Sequence, residues 1–271
     1  MESSSKYGLI AGNGKFPFLV LQAARSQGIE MVVAAIKEET FPEIEQHAKT
    51  VHWMSLGQLG KLIKTFKAEG VSDAIMAGQV KHKQIFSSII PDLKMIQLLA
   101  SLATKNTDSL IGGVAKMLED EGIHLIDSTS FLRPLLPEPG VLTRRSPSEE
   151  EKRDLDYGYR IARELGRLDL GQSVAVSDGA CVALEAMEGT DAIIERAASL
   201  VNGRMLRVVK LARPNQDLRF DVPVIGRGTV DLMARLKVSA LAVEARKTLM
   251  IDRDDLIRDA DAANITIVAV E

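Results

Sequence analysis

The start of the chain places a short apolar strand, a glycine turn and a helix in direct succession. Tyr7–Ala11 (YGLIA) is an apolar run, and Gly12-Asn13-Gly14 follows it as a turn. Phe16–Gln27 carries apolar residues at helical spacing, and Met31–Ile36 is a second apolar run. Segments of these lengths form a βαβ unit, whose strands are parallel because the helix returns the chain to the end where it began. This opening predicts an α/β fold.

The alternation of strands and helices continues to about residue 127. The strands are short apolar runs, and the helices show the 3.6-residue period. Further strands are predicted at Val51–Met54, Asp73–Ala77 and His124–Asp127, and further helices at Leu59–Glu69, Leu93–Ala103 and Asp108–Glu121. This order predicts an N-terminal Rossmann-like domain with a doubly wound, mainly parallel sheet.

A proline-rich stretch divides the chain. Pro134, Pro137, Pro139 and Gly140 crowd one short segment. Such a segment continues neither a helix nor a strand and is typical of a domain linker. The prediction is an N-terminal domain of residues 1–133, a linker at residues 134–140 and a C-terminal domain of residues 141–271.

The second half has a different pattern. Ser148 and Glu151 have the spacing of a capping box, and the helix that they open is predicted to end at Gly166. Asp178-Gly179 between two apolar runs is a strong signal for a β-hairpin. We therefore expect a C-terminal α/β domain with a mixed sheet. Its other predicted strands are Arg207–Leu211, Leu241–Ala245, Thr248–Ile251 and Ile265–Val270, and its other helices are Asp191–Leu200, Val230–Leu236 and Asp254–Ala263.

Composition argues against several classes of protein. The net charge is −3 and the basic residues are scattered, so no basic face favours nucleic acid. A single cysteine, Cys181, rules out an intramolecular disulfide and fits a reducing compartment. Met1–Lys6 shows no secretory signal, and no apolar run approaches the ~18 residues that span a bilayer. A cytoplasmic protein, at most peripheral on a membrane, is expected.

The first glycine turn is a candidate phosphate site. Gly12-Asn13-Gly14 follows a strand and opens a helix, where backbone N–H groups and the helix N-terminus favour an anion. Gly78-Gln79 ends another strand and would lie along the same edge of the sheet. Pro17 replaces the third glycine of a dinucleotide fingerprint, which weighs against NAD. The alternative is that a tight turn needs glycine whatever its function.

Carboxylates at turns of the second half are candidate magnesium ligands. Magnesium is usually held by one or two carboxylates together with substrate phosphates. Asp178 has the alternative role of forming the hairpin turn, and Asp191 that of capping a helix. Asp217 and Asp221 lie four residues apart in a loop between Pro214 and Pro223, and polar loop residues on a rigid scaffold are often functional. The histidines His47, His52, His82 and His124 are isolated and have no zinc-binding spacing.

Several segments together resemble one known family. They are GLIAGNGKFP at Gly8–Pro17, LGQLGKLIKTFKAEGV at Leu56–Val71, AGQVKHK at Ala77–Lys83, the long segment at Gly166–Ala197 that contains EAMEGTD, and KLARPNQDLRFDVPVIGRGTV at Lys210–Val230. In these segments the chain is similar to the bacterial UDP-2,3-diacylglucosamine pyrophosphatases of the two-domain kind, which lacks a histidine-rich binuclear metal centre.

The resemblance implies magnesium-dependent hydrolysis of UDP-2,3-diacylglucosamine to lipid X and UMP in lipid A synthesis. It also implies a homodimer, an N-terminal domain that binds the uridine nucleotide and a C-terminal domain that holds the acyl chains. The family's catalytic aspartate falls on Asp221, and Asp217 and Asp191 would support the metal together with it. The implied substrate contacts are Gly12, Asn13, Gly14, Gly78, Gln79, Asp178, Glu188, Gly189, Thr190 and Gln216.

A diacylated substrate makes a physical demand on the protein. Each buried methylene is worth ~0.8 kcal/mol, so we expect an enclosed apolar cavity in or beside the second domain. Lys81–Ile90 pairs basic and apolar residues and is a candidate contact with the inner membrane; the alternative is a solvated turn before a core helix. Two rival functions stay open: an NAD-dependent oxidoreductase, and a non-catalytic protein that binds a sugar nucleotide.

Overall fold

A computed structural model describes residues 6–80, 90–102 and 107–271. The described chain divides into two compact units. The first contains the residues up to Leu132 together with Leu218–Phe220, and the second contains Arg133–Asp217 and Asp221–Glu271. The candidate membrane segment lies outside the described residues except for Ile90.

The N-terminal unit is built on a parallel five-stranded sheet in the order β3-β2-β1-β4-β5. All six side chains of β2 are buried, which explains why this strand is a continuous apolar run. The predicted Rossmann-like parallel sheet is confirmed. Its strands are β1 (Lys6–Ala11), β2 (Met31–Ile36), β3 (Thr50–Met54), β4 (Val71–Ala77) and β5 (His124–Leu125).

In the described part of this unit, four α-helices lie between the strands. The second helix ends at Gly70, whose φ of +75° is the left-handed conformation that a glycine adopts at low cost. Asp92 begins the third helix by accepting a hydrogen bond from Met95 N–H at 3.0 Å. The helices are α1 (Phe16–Ser26), α2 (Leu59–Glu69), α3 (Leu93–Ser101) and α4 (Thr107–Asp120).

A short piece of the second half of the sequence joins this unit. Ser128 N–H donates to the carbonyl of Leu218 at 3.0 Å, and Ser128 Oγ lies 2.7 Å from the carbonyl oxygen of Arg219. Phe220 packs against the apolar core of the N-terminal unit. Leu218–Phe220 therefore belongs to the first unit, while Asp217 and Asp221 on either side of it belong to the second.

The C-terminal unit contains a six-stranded sheet in the order β6-β13-β11-β9-β7-β8. Strands β9, β11 and β13 are parallel, whereas β6, β7 and β8 pair antiparallel, so the predicted mixed sheet is confirmed. β10 and β12 form a separate parallel pair. The strands are β6 (Gly140–Val141), β7 (Ser173–Ser177), β8 (Ala180–Leu184), β9 (Leu206–Lys210), β10 (Val224–Ile225), β11 (Val238–Glu244), β12 (Leu249–Met250) and β13 (Thr266–Val270).

The helices of this unit lie where the sequence predicts them, but some ends differ: the helix predicted at Val230–Leu236 spans Arg227–Arg235. Ser148 and Glu151 form the predicted capping box. The helix that they open continues past Gly166, contrary to the prediction, and a Cβ at Gly166 would lie 3.2 Å from the Pro214 ring. The glycine at this position permits close packing and does not end the helix. The helices are α5 (Glu149–Arg167), α6 (Thr190–Leu200), α7 (Arg227–Arg235) and α8 (Arg253–Ala262).

Among the described residues, no helix has both the length and the apolar character needed to cross a bilayer.

Candidate active site

The two predicted glycine turns of the N-terminal unit meet at the carboxyl edge of its sheet. Gly12 N–H donates to the carbonyl of Ala77 at 2.8 Å, and Asn13 N–H donates to the carbonyl of Gln79 at 2.8 Å. Gln79 N–H returns a hydrogen bond to the carbonyl of Asn13 at 3.1 Å. The turns after β1 and β4 are therefore joined by a short backbone ladder.

The close approach of the two turns explains why glycine is needed at Gly12 and Gly78. A Cβ at Gly12 would lie 2.7 Å from the carbonyl oxygen of Gln79, and one at Gly78 would lie 2.6 Å from that of Asn13. Gly78 also has a φ of +94°. Gly14, with a φ of +93°, is different, because among the described residues, its two chain neighbours aside, none has an atom within 4 Å of where its Cβ would lie. Gly14 therefore has no steric reason of the kind that Gly12 and Gly78 have, and a phosphate site at the start of α1 stays a prediction.

The candidate site of the C-terminal unit lies at the end of β9. Lys210 is the last residue of this strand and faces Ser173, the first residue of β7. Its side chain is buried, and Nζ donates to the carbonyl of Val224 at 2.8 Å. The final lysine of β9 is thereby tied to the start of β10, so the loop between the two strands has fixed ends.

Three carboxylates act on the buried Lys210 ammonium. Burial lowers the pKa of this ammonium, and the negative charges of Glu185, Asp191 and Asp221 oppose that effect. The three carboxylates come from the segment after β8, the first turn of α6 and the loop before β10. Sequence reasoning predicted Asp191 and Asp221 but missed Lys210 and Glu185. The available signal was the lysine at the end of LRVVK, a strand in which every residue is buried.

Asp221 is held by an arginine of its own loop. Arg213 Nη2 donates to Asp221 Oδ2 at 2.7 Å, and Arg213 Nη1 donates to Asp169 Oδ1 at 2.5 Å. The Asp221 side chain is 37% exposed, so it is accessible to a reactant while it is paired. Arg213 was not among the predicted site residues.

The predicted loop residues Gln216 and Asp217 shape the backbone around this pair. Gln216 Oε1 accepts a hydrogen bond from Arg213 N–H at 2.8 Å, and the Asp217 carbonyl accepts one from Asp221 N–H at 2.9 Å. Both bonds close turns within the loop. They bring the start of the loop close to Asp221, although no regular helix or strand forms there.

A buried glutamate anchors the beginning of the same loop. Glu244, the last residue of β11, accepts a hydrogen bond from Ala212 N–H at 2.9 Å. Its carboxylate also pairs with Arg163 Nη1 at 3.1 and 3.2 Å and with Lys247 Nζ at 2.8 Å. Two cations therefore compensate the buried charge, and the carboxyl ends of β9 and β11 are joined.

The start of α6 holds four of the predicted residues. Gly189 precedes the helix with a φ of +88°, and Thr190 Oγ1 lies 2.9 Å from Ser173 Oγ. Asp191 Oδ1 accepts a hydrogen bond from the hydroxyl of Thr229 at 2.9 Å. Glu188 pairs with Arg196 at 2.6 Å, and hydrogen bonds from backbone N–H groups and from Arg196 lower the pKa of its carboxyl group.

Asp178 lies away from this group. It occupies the β7–β8 turn with a φ of +52°, and its ionic partners are Arg204 at 3.5 Å and Arg207 at 3.8 Å. The turn follows the last residue of β7, whereas Lys210 faces the first. At ~3.3 Å per residue, the five residues of β7 separate Asp178 from the Lys210 end of the sheet.

The predicted metal ligands do not form a preassembled cage. Among the described residues, no group of three or more His, Cys, Asp or Glu side chains is arranged to hold a metal ion. Asp221 is paired with Arg213, and Asp191 with Thr229. A hard cation that keeps part of its coordination for substrate phosphates needs only one or two carboxylates. The carboxylates present are of the ligand type that magnesium takes, and magnesium binding stays a prediction.

Fold and site together define a two-domain α/β protein with a charged loop at the carboxyl edge of its C-terminal sheet. The family description "LpxI N-terminal domain" matches residues 6–135, and "LpxI C-terminal domain" matches residues 138–268. The chain is 32% identical over 276 aligned residues to the UDP-2,3-diacylglucosamine pyrophosphatase LpxI of Caulobacter vibrioides, and the alignment covers 98% of each chain. The chain therefore belongs to the LpxI family.

Solved structures show only weak similarity. The biotin carboxylase domain of the Hydrogenobacter thermophilus 2-oxoglutarate carboxylase is 12% identical with a TM-score of 0.27. The match covers 65% of this chain and 35% of that structure. The phosphoribosylglycinamide synthetase of Anaerococcus prevotii is 13% identical with a TM-score of 0.29, covering 64% and 32%. The chain spans about a third of these two structures, and similarity of this degree carries no argument.

Proposed function

We propose that this chain hydrolyses the pyrophosphate of UDP-2,3-diacylglucosamine to lipid X and UMP, a step of lipid A synthesis, with the help of magnesium. Similarity over the whole length to a pyrophosphatase named for this substrate supports the proposal. The observation that carries it in the structure is the placement of Asp221. This carboxylate is accessible, oriented by Arg213 and close enough to Lys210 to influence its ammonium.

Asp221 is the proposed general base. A carboxylate that is fixed in direction and open to solvent can accept a hydrogen bond from a water molecule and orient it toward a phosphorus atom. As the water attacks, Asp221 accepts its proton and UMP separates from the lipid phosphate. Arg213 engages Oδ2 of Asp221. A carboxylate has about four lone-pair sites, so Asp221 can also accept a hydrogen bond from the water and bind a metal ion.

Magnesium would be held by Asp221, Asp217 and Asp191 together with the substrate. When bound, it would neutralise the negative charge of the diphosphate and thereby favour attack by a nucleophile. The protein's own contribution is to bring these carboxylates to one edge of the sheet, through the β9–β10 loop and the start of α6. Glu244 and Lys210 fix the two ends of that loop.

The remaining predicted residues are proposed substrate contacts. Gly14 at the start of α1 offers open space for a nucleotide phosphate, and Gly12, Asn13, Gly78 and Gln79 build the turn beside it. In the C-terminal unit the proposed contacts are Glu188, Gly189, Thr190, Gln216 and Asp178. The proposal for Asp178 rests on family resemblance, because its turn is at the far end of β7.

Further parts of the proposal concern the cell. We expect a homodimer in the cytoplasm, with peripheral contact to the inner membrane from which the diacylated substrate is taken. An enclosed apolar cavity in or beside the C-terminal unit would shield the acyl chains, because each exposed methylene costs ~0.8 kcal/mol.

The direct test is incubation of the purified protein with UDP-2,3-diacylglucosamine, with and without magnesium, followed by detection of UMP and lipid X. The proposal predicts both products when magnesium is present and little of either when it is chelated. Binding of the UDP-sugar without release of UMP would favour the sugar-nucleotide-binding alternative. Bound NAD in the purified protein would favour the oxidoreductase.

A further inference from the structure

The end of β9 carries a buried positive charge, and the proposed hydrolysis uses its hydrogen bond to Val224 but gives no role to the charge itself. The Lys210 side chain is 7% exposed, and burial lowers the pKa of its ammonium. Within the described part of the chain, the hydrogen bond of this ammonium goes to the Val224 carbonyl rather than to a carboxylate. An ammonium has three N–H donors, so two remain for other groups around it.

Three carboxylates lie around the single ammonium of Lys210. Glu185 N–H donates at 2.9 Å to the carbonyl of Ser173, the residue that faces Lys210 in the β7–β9 pair. Asp191 follows Thr190, whose Oγ1 lies 2.9 Å from Ser173 Oγ. Glu185, Asp191 and Asp221 act on the ammonium from three separate elements of the C-terminal unit. Packing, and not a local sequence pattern, has thus placed three negative charges around one positive charge. Without the lysine these carboxylates would repel one another and would attract a cation from solution.

Glu185 provides a second, independent observation. Its side chain is 6% exposed, and Oε2 accepts no hydrogen bond from any described residue. A buried carboxylate oxygen without a donor is unfavourable unless a positive charge lies near it. Lys210 supplies that charge. A divalent cation would be the other group able to do so.

We propose that Lys210 is a positioning residue that makes divalent-metal binding depend on the diphosphate substrate. The inference rests on the proposed function, because the diphosphate is the ligand that completes the metal site. The Lys210 ammonium balances part of the charge of Glu185, Asp191 and Asp221 and repels a second cation. A substrate diphosphate adds negative charge and oxygen ligands, and the metal then binds together with it.

The test measures Mn²⁺ binding to the full chain, with free Mn²⁺ detected by electron paramagnetic resonance. Wild-type protein is expected to bind Mn²⁺ weakly when alone and more tightly with UDP, after subtraction of a protein-free UDP titration. Lys210→Met should bind Mn²⁺ without UDP about tenfold more tightly, because one nearby positive charge is lost. Lys210→Arg should behave as wild type.

Two further variants keep the experiment decisive. Lys152→Met removes the same charge from an exposed ion pair of α5 and should leave Mn²⁺ binding unchanged. Lys210→Gln removes the charge but keeps an N–H donor for the Val224 carbonyl, so it serves if Lys210→Met does not fold. Circular dichroism establishes which variants are folded.

Equal Mn²⁺ affinity of folded Lys210→Met or Lys210→Gln and wild type, without UDP, would overturn the inference. Release of UMP by the wild type is measured in parallel. If UMP is released while the variants bind Mn²⁺ as wild type does, only the role of Lys210 is wrong. If no UMP is released, the proposed function is wrong, and the Mn²⁺ titrations still decide whether Lys210 controls metal affinity.

Discussion

Arg213 holds Asp221 through a hydrogen bond of 2.7 Å from Nη2 to Oδ2, while Nη1 of the same guanidinium binds Asp169 at 2.5 Å. A planar guanidinium that is engaged on two sides fixes the direction of each carboxylate better than a flexible ammonium does. The proposed general base is therefore oriented by its own loop, with no contribution from a ligand.

Replacing this arginine should slow the reaction without abolishing it. In Arg213→Met, Asp221 keeps its charge but loses its orientation, so kcat should fall by about 10- to 100-fold while KM changes less. Steady-state release of UMP measures both constants. Asp169→Asn removes the charge of another partner of Arg213 and should have a smaller effect. Equal kcat for Arg213→Met and wild type would show that Asp221 needs no such support.

The backbone ladder between the two glycine turns should be sensitive to a single methyl group. Gly78→Ala introduces a contact of 2.6 Å with the carbonyl of Asn13 at a φ of +94°. We expect the free energy of unfolding to fall by about 2–4 kcal/mol. Gly28→Ala is the matched control, because it has a φ of +75° and open space around it, and it should cost only about 1 kcal/mol.

Trp53 allows this comparison to be made on the N-terminal unit. It is the single tryptophan of the chain and lies in β3, so its fluorescence during urea unfolding reports on that sheet. If Gly78→Ala and Gly28→Ala lose equal stability, the two glycine turns can move apart to admit a methyl group, and the prediction is wrong.

Glu151 should make the stability of the C-terminal unit depend on pH. Burial by itself raises the pKa of this carboxyl group, but hydrogen bonds from Arg145 and from the backbone of Ser148 outweigh burial and hold it at about 2, compared with 4.5 ordinarily. A lowered pKa stabilises the folded state fully above pH 4.5, and this contribution is lost as the pH falls toward 2.

The matching measurement is urea unfolding of Glu151→Gln followed by circular dichroism. At pH 7 the variant should lose about 1–3 kcal/mol, because a cap and a charged hydrogen bond are weakened. The difference from wild type should shrink between pH 4.5 and pH 2. A difference that stays constant over this range would show that the charge of Glu151 is not responsible.

Glu244 should control how firmly the beginning of the β9–β10 loop is held. In Glu244→Gln the partly buried Arg163 loses its counter-charge and Ala212 N–H loses a charged acceptor, so stability should fall by about 3 kcal/mol. Hydrogen exchange should show faster exchange of the Ala212 amide. Glu138→Gln breaks an exposed ion pair with Arg246 and should change stability by less than about 1 kcal/mol. If the Ala212 amide exchanges at the same rate in Glu244→Gln and wild type, Glu244 does not hold the beginning of the loop.

Elements that depend on local pattern were predictable from the sequence. The capping box of Ser148 and Glu151, the hairpin at Asp178-Gly179 and the helix over Leu59–Glu69 all formed as expected. Elements that depend on distant partners were not. β6 forms at the end of the predicted linker because Val141 pairs with Val268 of β13, and a two-residue strand has no pattern of its own.

In the candidate site, too, residues with a local sequence signal were predicted and residues that depend on distant partners were not. Asp217 and Asp221 were predicted because two aspartates in a proline-bounded loop form a local signal. Lys210 and Glu185 were missed because their importance lies in burial beside each other, which is a property of the packed sheet. For Asp178 the hairpin identified its turn correctly, but a turn residue does not reveal which end of the sheet it will occupy.

The most direct test of the account is UMP release from UDP-2,3-diacylglucosamine by Asp221→Asn, with magnesium present and with UDP affinity measured by equilibrium dialysis. Loss of the proposed general base should lower kcat by about 100-fold or more while UDP affinity stays within a few-fold of wild type. Asp156→Asn removes the same charge from an exposed position of α5 and should retain full activity. Turnover of Asp221→Asn within a few-fold of wild type would contradict the role of Asp221.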